Sequence, residues 1–372
     1  MRFNLKILHV INSLKRKGPV NVLYNLVKYH VKDGHKIYII AINDKESKSR
    51  YQEFVNLGVE IINFHLGYKS YYKLSNLVKQ RLAEVKPDIL QANCFFSEWA
   101  LAKISHKHKL SLIHNYPKDD FKSKFGPMLG SFMQYISYRS WKRFNFLLTV
   151  SKANSVAIEA LYKVSVDYIY NGIELVEQKY EKKVNNSLKN KMNFDTDAKV
   201  FIYADSMIKR KDPETVVKGF LEFSISNKKC ILLLAGNGEL LSHLKDKYSS
   251  HTDIIFLGHV DNIDDYYSIS NFYITSSLAE SFHLSVLEAL LHDLPVVCSN
   301  IPCHEFFLKL NENIGFLFKK GDSNSLASAL KEVVILKERT TLISKKILLE
   351  KKLTAELMAD EYIKYYKDML NG

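Results

Sequence analysis

Two acidic side chains bracket an apolar stretch in the second half of the chain. Glu280 and Glu288 lie eight residues apart in the segment AESFHLSVLEALL. On one helix this spacing corresponds to about 12 Å along the axis, more than the roughly 5–9.5 Å at which paired carboxylates act on one glycosidic bond. We therefore interpret the pair as contacts for opposite ends of one long ligand. Taken alone, the segment favours a simpler interpretation, a helix-start acid followed by a solvated helix residue.

A basic cluster precedes another predicted helix. Lys209, Arg210 and Lys211 follow the apolar run FIYAD and come just before Asp212 and Pro213. Cations beside a helix N-terminus suit a diphosphate, because their charge and the free backbone N–H groups both attract it. The alternative is a solvated basic loop, and we favour the phosphate role.

Further candidate ligand contacts follow other predicted strands. Gly18, before a proline, would let the backbone approach a phosphate, Gly236 in AGNGEL could lie beside a nucleotide base, and His114 ends the run LSLIHN. Each also has a plain structural explanation, as a turn glycine or a satisfied histidine. Between the two glutamates, a new helix would leave backbone donors unpaired. These donors would be the N–H groups of Ser281, Phe282, His283 and Leu284.

The candidate residues are separated by alternating apolar strands and amphipathic helices. Seven strand-like runs begin with KILHVI in the first half, and six begin with KVFIYAD in the second. This alternation predicts an α/β protein of two Rossmann-like domains facing across a cleft, with ligands at the carboxyl ends of the strands. We expect an acceptor domain at 1–172, a polar connector beginning at residue 173, a nucleotide-sugar domain at 173–353, and a terminal helix at 354–372 packing on the first domain.

Composition restricts the class of protein. The 372 residues are 47% hydrophobic and 25% charged, as in soluble globular proteins. No apolar run approaches the ~20 residues of a membrane-spanning helix, and the start lacks a signal-peptide layout. The cysteines show neither disulfide nor zinc spacing, so we expect a cytoplasmic protein without a bound metal. They are Cys94, Cys230, Cys298 and Cys303.

The basic charge is concentrated in one half of the chain. Residues 1–170 hold 27 Lys and Arg against 12 Asp and Glu, although the whole chain carries only +13. This asymmetry favours an anionic partner. Within it, one predicted helical face over 125–136 combines an apolar stripe with a basic rim, which suits either a membrane surface or the domain core. The stripe is Phe125, Met128, Leu129, Phe132, Tyr135 and Ile136, and the rim is Lys122, Lys124, Arg139, Lys142 and Arg143.

The order IYNGIE, IKRKDPE, AGNGEL and ESFHLSVLEAL resembles that of the family 4 glycosyltransferases of the GT-B fold, and the resemblance covers essentially the whole chain. It implies metal-independent, retaining transfer of a sugar from a nucleotide sugar. We expect the transferred sugar to be a hexose or N-acetylhexosamine and the nucleotide to be UDP. By this resemblance Glu280 contacts the donor sugar, Glu288 the ribose, Lys211 the leaving diphosphate, Gly18 the β-phosphate and His114 the transferred sugar.

The chain departs from the family's pattern at identifiable positions. The first loop has Lys17 and Gly18 instead of two glycines, and the segment 204–206 lacks the family's arginine. Lys209 or Arg210 could replace that arginine. His283 stands where the family has glycine, which would narrow the donor pocket.

The expected acceptor is a membrane-associated glycan: lipopolysaccharide, capsule or a polyprenyl-linked oligosaccharide. The basic half would hold the enzyme at the anionic inner face of the membrane, with no nucleic acid as partner. Two alternatives stay open at this point. One is a basic nucleic-acid-binding protein, and the other is an epimerase or phosphorylase of the same fold.

Overall fold

The computed structural model describes residues 4–45, 49–175, 186–192, 194–195, 197–311, 313–337 and 353–372. The chain divides into two compact units, Met1–Leu175 with Lys352–Gly372, and Val176–Lys351. Residues 176–185 of the predicted connector lie outside the described residues. Each unit is built on one parallel sheet, which confirms the predicted α/β class.

The sheet of the first unit has seven strands, at the positions of the seven predicted runs. They are β1 (Lys6–Ile11), β2 (Lys36–Ala41), β3 (Glu60–Asn63), β4 (Ile89–Ala92), β5 (Lys109–Ile113), β6 (Phe146–Thr149) and β7 (Asp167–Tyr168). Their order is β3-β2-β1-β4-β5-β6-β7. Every residue of β4 and β5 is buried, because helices cover both faces of a parallel sheet.

Six helices of the first unit follow these strands. They are α1 (Gly18–Lys32), α2 (Tyr51–Asn56), α3 (Leu74–Val85), α4 (Phe95–Leu101), α5 (Pro117–Trp141) and α6 (Lys152–Tyr162), with a 3-10 turn at Tyr68–Lys73. Gly34 has a φ of +90° just after α1, as expected for a glycine that ends a helix.

Helix α5 contains a chain reversal, so the single helical face predicted over 125–136 is wrong. Gly126 has a φ of +78°, and Pro127 begins a second helical segment. A Cβ atom on Gly130 would lie 2.7 Å from Lys122 Cα, so the second segment returns against the first. A left-handed glycine ends one helix and the following proline starts the next, which interrupts the assumed periodicity.

The apolar side chains around this reversal are exposed. Met128 is 87% exposed and Phe132 59% exposed, whereas Phe121 and Trp141 near the two ends of α5 are buried. The interpretation of the stripe as core is therefore wrong for five of its six residues. The exposed members are Phe125, Met128, Leu129, Phe132 and Tyr135.

The second unit repeats the architecture with six strands, again at the predicted runs. They are β8 (Lys199–Ala204), β9 (Cys230–Ala235), β10 (Ile254–Gly258), β11 (Phe272–Thr275), β12 (Val296–Ser299) and β13 (Gly315–Phe318), in the order β10-β9-β8-β11-β12-β13. The helices are α7 (Asn186–Lys191), α8 (Pro213–Ser226), α9 (Leu241–Lys247), α10 (Ile263–Ile269), α11 (Leu284–Leu291), α12 (Pro302–Leu308) and α13 (Ser323–Lys337).

The order of strands reverses once in each sheet. In the first unit the reversal lies between β1 and β4, and in the second between β8 and β11. Loops leave the two strands at such a point in opposite directions and open a crevice at their carboxyl ends. Each unit therefore has one topologically favoured ligand site.

The chain returns to the first unit as α14 (Ala355–Asn371). The Thr354 hydroxyl caps this helix, and backbone bonds join Ile173 to Leu353 at 2.9 Å and to Ala355 at 2.8 Å. The helix packs against α1, and its Tyr366 hydroxyl donates to Gln91 Oε1 at 2.6 Å. No helix among the described parts of the chain is both long and apolar enough to span a membrane.

Candidate functional site

The switch point of the second unit gathers most of the predicted donor-site residues. Asp205 follows β8 directly, and the 3-10 turn Lys209–Lys211 follows it. Glu280 and His283 lie in the loop between β11 and α11. Because β8 and β11 are neighbours in the sheet, the two loops meet at its carboxyl edge.

Lys211 is the centre of this cluster. Its buried Nζ lies 2.5 Å from Asp205 Oδ1, 2.8 Å from Glu280 Oε1 and 3.1 Å from His283 Nε2. An ammonium group has three N–H donors, so these contacts use all of its donor capacity. A phosphate oxygen can bind Lys211 only by replacing one of the three.

Arg210 shares Glu280 with Lys211. Its Nη1 donates to Glu280 Oε1 at 2.6 Å and to the carbonyl oxygen of Ala279 at 2.7 Å. Both cations thus converge on one carboxylate oxygen. The Lys209 side chain is exposed and is not part of this convergence.

Charge pairing dominates the electrostatics of the cluster. Burial acts to raise the pKa of Glu280, but Lys211, His283 and Arg210 lower it to about 2. Burial opposes ionisation of Asp205 in the same way, and His283 and Lys211 still hold its pKa below the usual range. Burial lowers the pKa of Lys211, but Asp205 and Glu280 raise it above its ordinary value. The site therefore holds two carboxylates against two permanent cations.

Two stacked histidines, His283 and His304, lie beside Lys211. Burial lowers the pKa of His304 to about 3, so this ring is neutral. Its Nδ1 lies 2.8 Å from the Ser299 carbonyl oxygen and must carry the proton, which leaves Nε2 as an acceptor. His283 Nδ1, 2.8 Å away, therefore donates to it. His283 Nε2 then accepts from Lys211 when the ring is neutral and donates to Asp205 when it is protonated.

Glu288 lies on α11 and is separate from the cluster of cations. It is the fifth residue of the helix, about one turn from its start at Leu284. Its Oε2 accepts from the Tyr267 hydroxyl at 3.3 Å. Ser281 and Phe282 are buried in the loop before the helix, and His283 is its N-cap.

Gly236 has a structural task that the sequence does not reveal. Its φ is +144°, and a Cβ atom there would lie 1.9 Å from the carbonyl oxygen of Asp205. Only glycine allows the loop after β9 to contact the backbone that carries Asp205. The Asp205 N–H in turn donates to the Ala235 carbonyl oxygen at 3.1 Å.

The remaining predicted residues, Gly18 and His114, belong to the first unit. His114 lines a cavity of about 360 Å³ at the switch point of that unit, and its Nε2 finds no partner among the described residues. Burial lowers the pKa of His114 to about 4, so the ring is neutral. Gly18 is the first residue of α1, and a Cβ atom there would meet no atom within 4 Å.

Three residues of the two crevices had no role assigned from the sequence. Asp205 and His304 join the cluster of the second unit, and Glu98 lines the cavity of the first. One signal could have found them: each follows a predicted strand, after β8, β12 and β4 respectively. No group of three or more His, Cys, Asp or Glu side chains arranged for a metal occurs in the described part of the chain.

Comparison with known protein families assigns both halves of the chain. The profile of glycosyl transferases group 1 matches residues 184–347, and that of glycosyltransferase family 4 matches residues 16–177. The solved structure of Anabaena Alr3699/HepE in complex with UDP-glucose superposes with a TM-score of 0.79 at 17% identity, covering 98% of this chain and 100% of that one. That likeness confirms the GT-B fold.

Two curated relatives come from Escherichia coli. The O-antigen biosynthesis glycosyltransferase WclY is 24% identical over 370 residues, which cover 98% of this chain and 99% of the relative. The UDP-Gal:alpha-D-GlcNAc-diphosphoundecaprenol alpha-1,3-galactosyltransferase is 25% identical over 232 residues, 59% of this chain and 58% of the relative. Profiles and relatives together identify a transferase, so the alternative of a nucleic-acid-binding protein is set aside.

Proposed function

The chain belongs to the group 1, family 4 glycosyltransferases of the GT-B fold, and from this premise we propose that it is a retaining sugar transferase. The donor is a nucleotide sugar carrying a hexose or N-acetylhexosamine, with UDP as the nucleotide. The acceptor is a membrane-associated glycan. The convergence of Lys211 and Arg210 on Glu280 at the β8/β11 switch point carries this proposal.

The donor diphosphate binds at Lys211 and Arg210. A phosphate oxygen replaces one ligand of Lys211, and the buried surroundings strengthen the new charge pair. Glu280 is then released toward the sugar hydroxyls, and Glu288 accepts from the ribose hydroxyls. Glu288 is half-buried on α11, where its Oε2 also accepts from the Tyr267 hydroxyl.

In the transfer step the bond between the anomeric carbon and the phosphate oxygen breaks, and its electron pair stays on the diphosphate. The acceptor hydroxyl oxygen forms the new bond on the same face of the sugar. Its proton passes to the leaving phosphate oxygen, so no separate protein base is needed. Lys211 and Arg210 stabilise the negative charge that develops on the diphosphate.

The names of the relatives support a lipid-linked or surface glycan as acceptor. One acts in O-antigen biosynthesis, and the other is named for a diphosphoundecaprenol substrate. The exposed apolar side chains of α5 and the basic excess of residues 1–170 suit binding at an anionic membrane. We place the enzyme at the inner face of the membrane as a peripheral protein.

A thermal-shift screen against UDP, GDP and ADP sugars tests donor binding, because a bound donor stabilises the folded state. Release of free nucleotide only when a glycan acceptor is added then identifies a transferase. Glu288→Ala should weaken nucleotide binding, whereas Glu280→Ala should mainly slow transfer. If the two variants matched the unsubstituted enzyme in both respects, the assigned roles would be wrong.

Metal independence is part of the proposal, because Lys211 and Arg210 would supply the positive charge that a divalent ion otherwise brings to a diphosphate. Transfer should survive EDTA without loss. A Lys211→Met variant should lose activity that added Mg²⁺ does not restore. Strong inhibition by EDTA would contradict the role given to Lys211 and Arg210.

A further inference from the structure

The cavity of the first unit has mainly apolar walls. It lies where β1 and β4 end, and its volume of about 360 Å³ falls within the range of small-molecule sites, about 300–1,000 Å³. Aromatic side chains from α4 and α5 contribute much of the wall. They are Phe95, Phe96, Phe121, Phe125 and Trp141.

One buried carboxyl group lies in this wall. Glu98 of α4 is only 5% exposed, and its Oε1 accepts from the Ser111 hydroxyl at 2.8 Å. A carboxyl group buried among apolar side chains is costly unless it is well hydrogen-bonded. A carboxyl group can make more hydrogen bonds than the Ser111 hydroxyl and the Trp141 indole N–H together supply. Packing alone would be served better by an apolar residue, so the carboxyl group needs a further explanation.

The surroundings favour the neutral acid form of Glu98. Burial raises its pKa to about 7, and hydrogen bonding by Trp141 and Ser111 offsets only part of this rise. The carboxyl group is therefore largely protonated below pH 7 and has an O–H group to donate. Two other ionisable side chains in the wall, Cys94 and His114, are half-buried and uncharged, because desolvation raises the pKa of the thiol and lowers that of the ring. Lys15 and Lys17 also line the cavity and are exposed.

We propose that this cavity binds an N-acetylated sugar of the acceptor, with Glu98 donating a hydrogen bond to the acetamido carbonyl oxygen and the aromatic walls packing against the acetyl methyl group. The inference rests on the proposed function, because it names the acceptor chemistry of the same enzyme. An acetamido group is uncharged, its carbonyl oxygen only accepts, and its methyl group is apolar. A neutral acid within an apolar wall matches all three properties.

The test compares two soluble probes that differ only at the sugar's second carbon, p-nitrophenyl α-N-acetylglucosaminide and p-nitrophenyl α-glucoside. Isothermal titration calorimetry with the full chain should give about tenfold tighter binding of the N-acetylated probe at pH 6, the contribution of one hydrogen bond to a buried partner. The ratio of the two dissociation constants should fall toward one by pH 9, because Glu98 is then ionised and has no O–H group to donate.

Variants at Glu98 separate this role from packing. Glu98→Gln retains an N–H donor and should keep the preference at both pH values, whereas Glu98→Leu should lose it at both. The matched control is Glu159→Gln in α6, where the carboxylate accepts from the Val166 N–H away from the cavity; it should behave like the unsubstituted chain. If Glu98→Leu does not fold, the contrasting pH profiles of the unsubstituted chain and Glu98→Gln decide.

Several results would overturn the inference: equal affinity for the two probes, a preference unaffected by pH, or a preference retained in Glu98→Leu. Nucleotide binding by the same preparations keeps the two hypotheses apart. UDP binding together with equal probe affinities removes this inference alone. Absence of binding to UDP, GDP and ADP removes the proposed function.

Discussion

Asp205 Oδ2 lies 2.9 Å from His283 Nε2, so the segment that lacks the family's arginine contacts the histidine that stands where the family has glycine. The first departure leaves a carboxylate in a segment where the family has a cation. The second places beside it a ring that can carry a positive charge. Asp205 and His283 also contact Lys211 Nζ, at 2.5 Å and 3.1 Å, so both departures affect the surroundings of the cation assigned to the diphosphate.

Asp205 competes with the donor for Lys211, which predicts opposite effects of Asp205→Asn on stability and binding. Without ligand, loss of a buried ion-pair partner should lower the free energy of unfolding by about 3 kcal/mol. UDP should bind about tenfold more tightly, because one carboxylate fewer competes with the phosphate for the Lys211 ammonium group. Urea unfolding and calorimetry measure the two quantities. Asp197→Asn, which removes the exposed pair with Lys229, should change neither, and weaker UDP binding by Asp205→Asn would refute the competition.

Gly18 and Gly236 differ in the space around an added methyl group. Alanine at Gly18 should therefore affect donor binding, and alanine at Gly236 should affect stability. Gly18→Ala should change the free energy of unfolding by less than about 0.5 kcal/mol, because its Cβ would enter open space. If the Gly18 backbone approaches the donor phosphate, KM for the donor should rise about fivefold or more. Gly236→Ala should destabilise by about 2 kcal/mol or more. An unchanged KM in Gly18→Ala would remove Gly18 from the donor site.

The exposed side chains of α5 predict binding to anionic vesicles. Replacing Met128 and Phe132 together by glutamate removes apolar contact and adds negative charge. The double variant should lose at least about tenfold in affinity for phosphatidylglycerol vesicles in a flotation assay. Ile225→Glu is the control, since Ile225 is a 64% exposed apolar residue of the second unit. Equal losses in both would show that the α5 surface has no special role.

Buried neutral histidines predict that the first unit loses stability in mild acid. Burial lowers the pKa of both His9 and His30 to about 3, below the ordinary value near 6.5, so unfolding takes up protons as the pH falls. Their contribution is complete above about pH 6.5 and declines by about 1.4 kcal/mol per pH unit for each ring toward pH 3. Hydrogen exchange of the β1 amides at pH 7 and pH 5 measures it.

His9→Leu tests that assignment, because neither ring nitrogen of His9 has a partner among the described residues. In the variant, the free energy of unfolding should fall less steeply as the pH decreases, by about 1.4 kcal/mol per pH unit, the contribution of one histidine ring. Stability at pH 7 should change little. His243→Leu, at an exposed position of α9, should leave the slope unchanged. A slope unaltered by His9→Leu would mean that this ring does not titrate with unfolding.

The strands and the donor cluster were predictable from the sequence for the same physical reason. Strands covered on both faces are continuous apolar runs, so their ends are visible, and polar residues just past those ends meet at one edge of the sheet. Lys211 and Glu280 were found in this way. Asp205 and His304 also follow predicted strands, but their contacts with His283 could not be predicted, because these depend on the pairing of β11 with β8 and with β12.

One misinterpretation came from treating a helix as regular. The stripe around residues 125–136 has helical spacing, and that spacing hides the reversal at Gly126 even though a glycine followed by proline is itself a termination signal. No role was predicted for Glu98, because glutamate is seldom fully buried and the sequence alone gives no sign of its burial. Its burial depends on Trp141 and Ser111, which other elements bring to it.

The backbone pairing of Ile173 with Leu353 and Ala355 has a consequence for biosynthesis. A ribosome makes residues 176–351 before it makes α14, yet α14 supplies Tyr366 to Gln91 in the centre of the first unit. The first unit therefore cannot complete its fold until the second unit has been translated. During that time the α1 surface that α14 covers is exposed, and the second unit is free to fold. The unit whose synthesis starts first is thus the one whose fold is completed last.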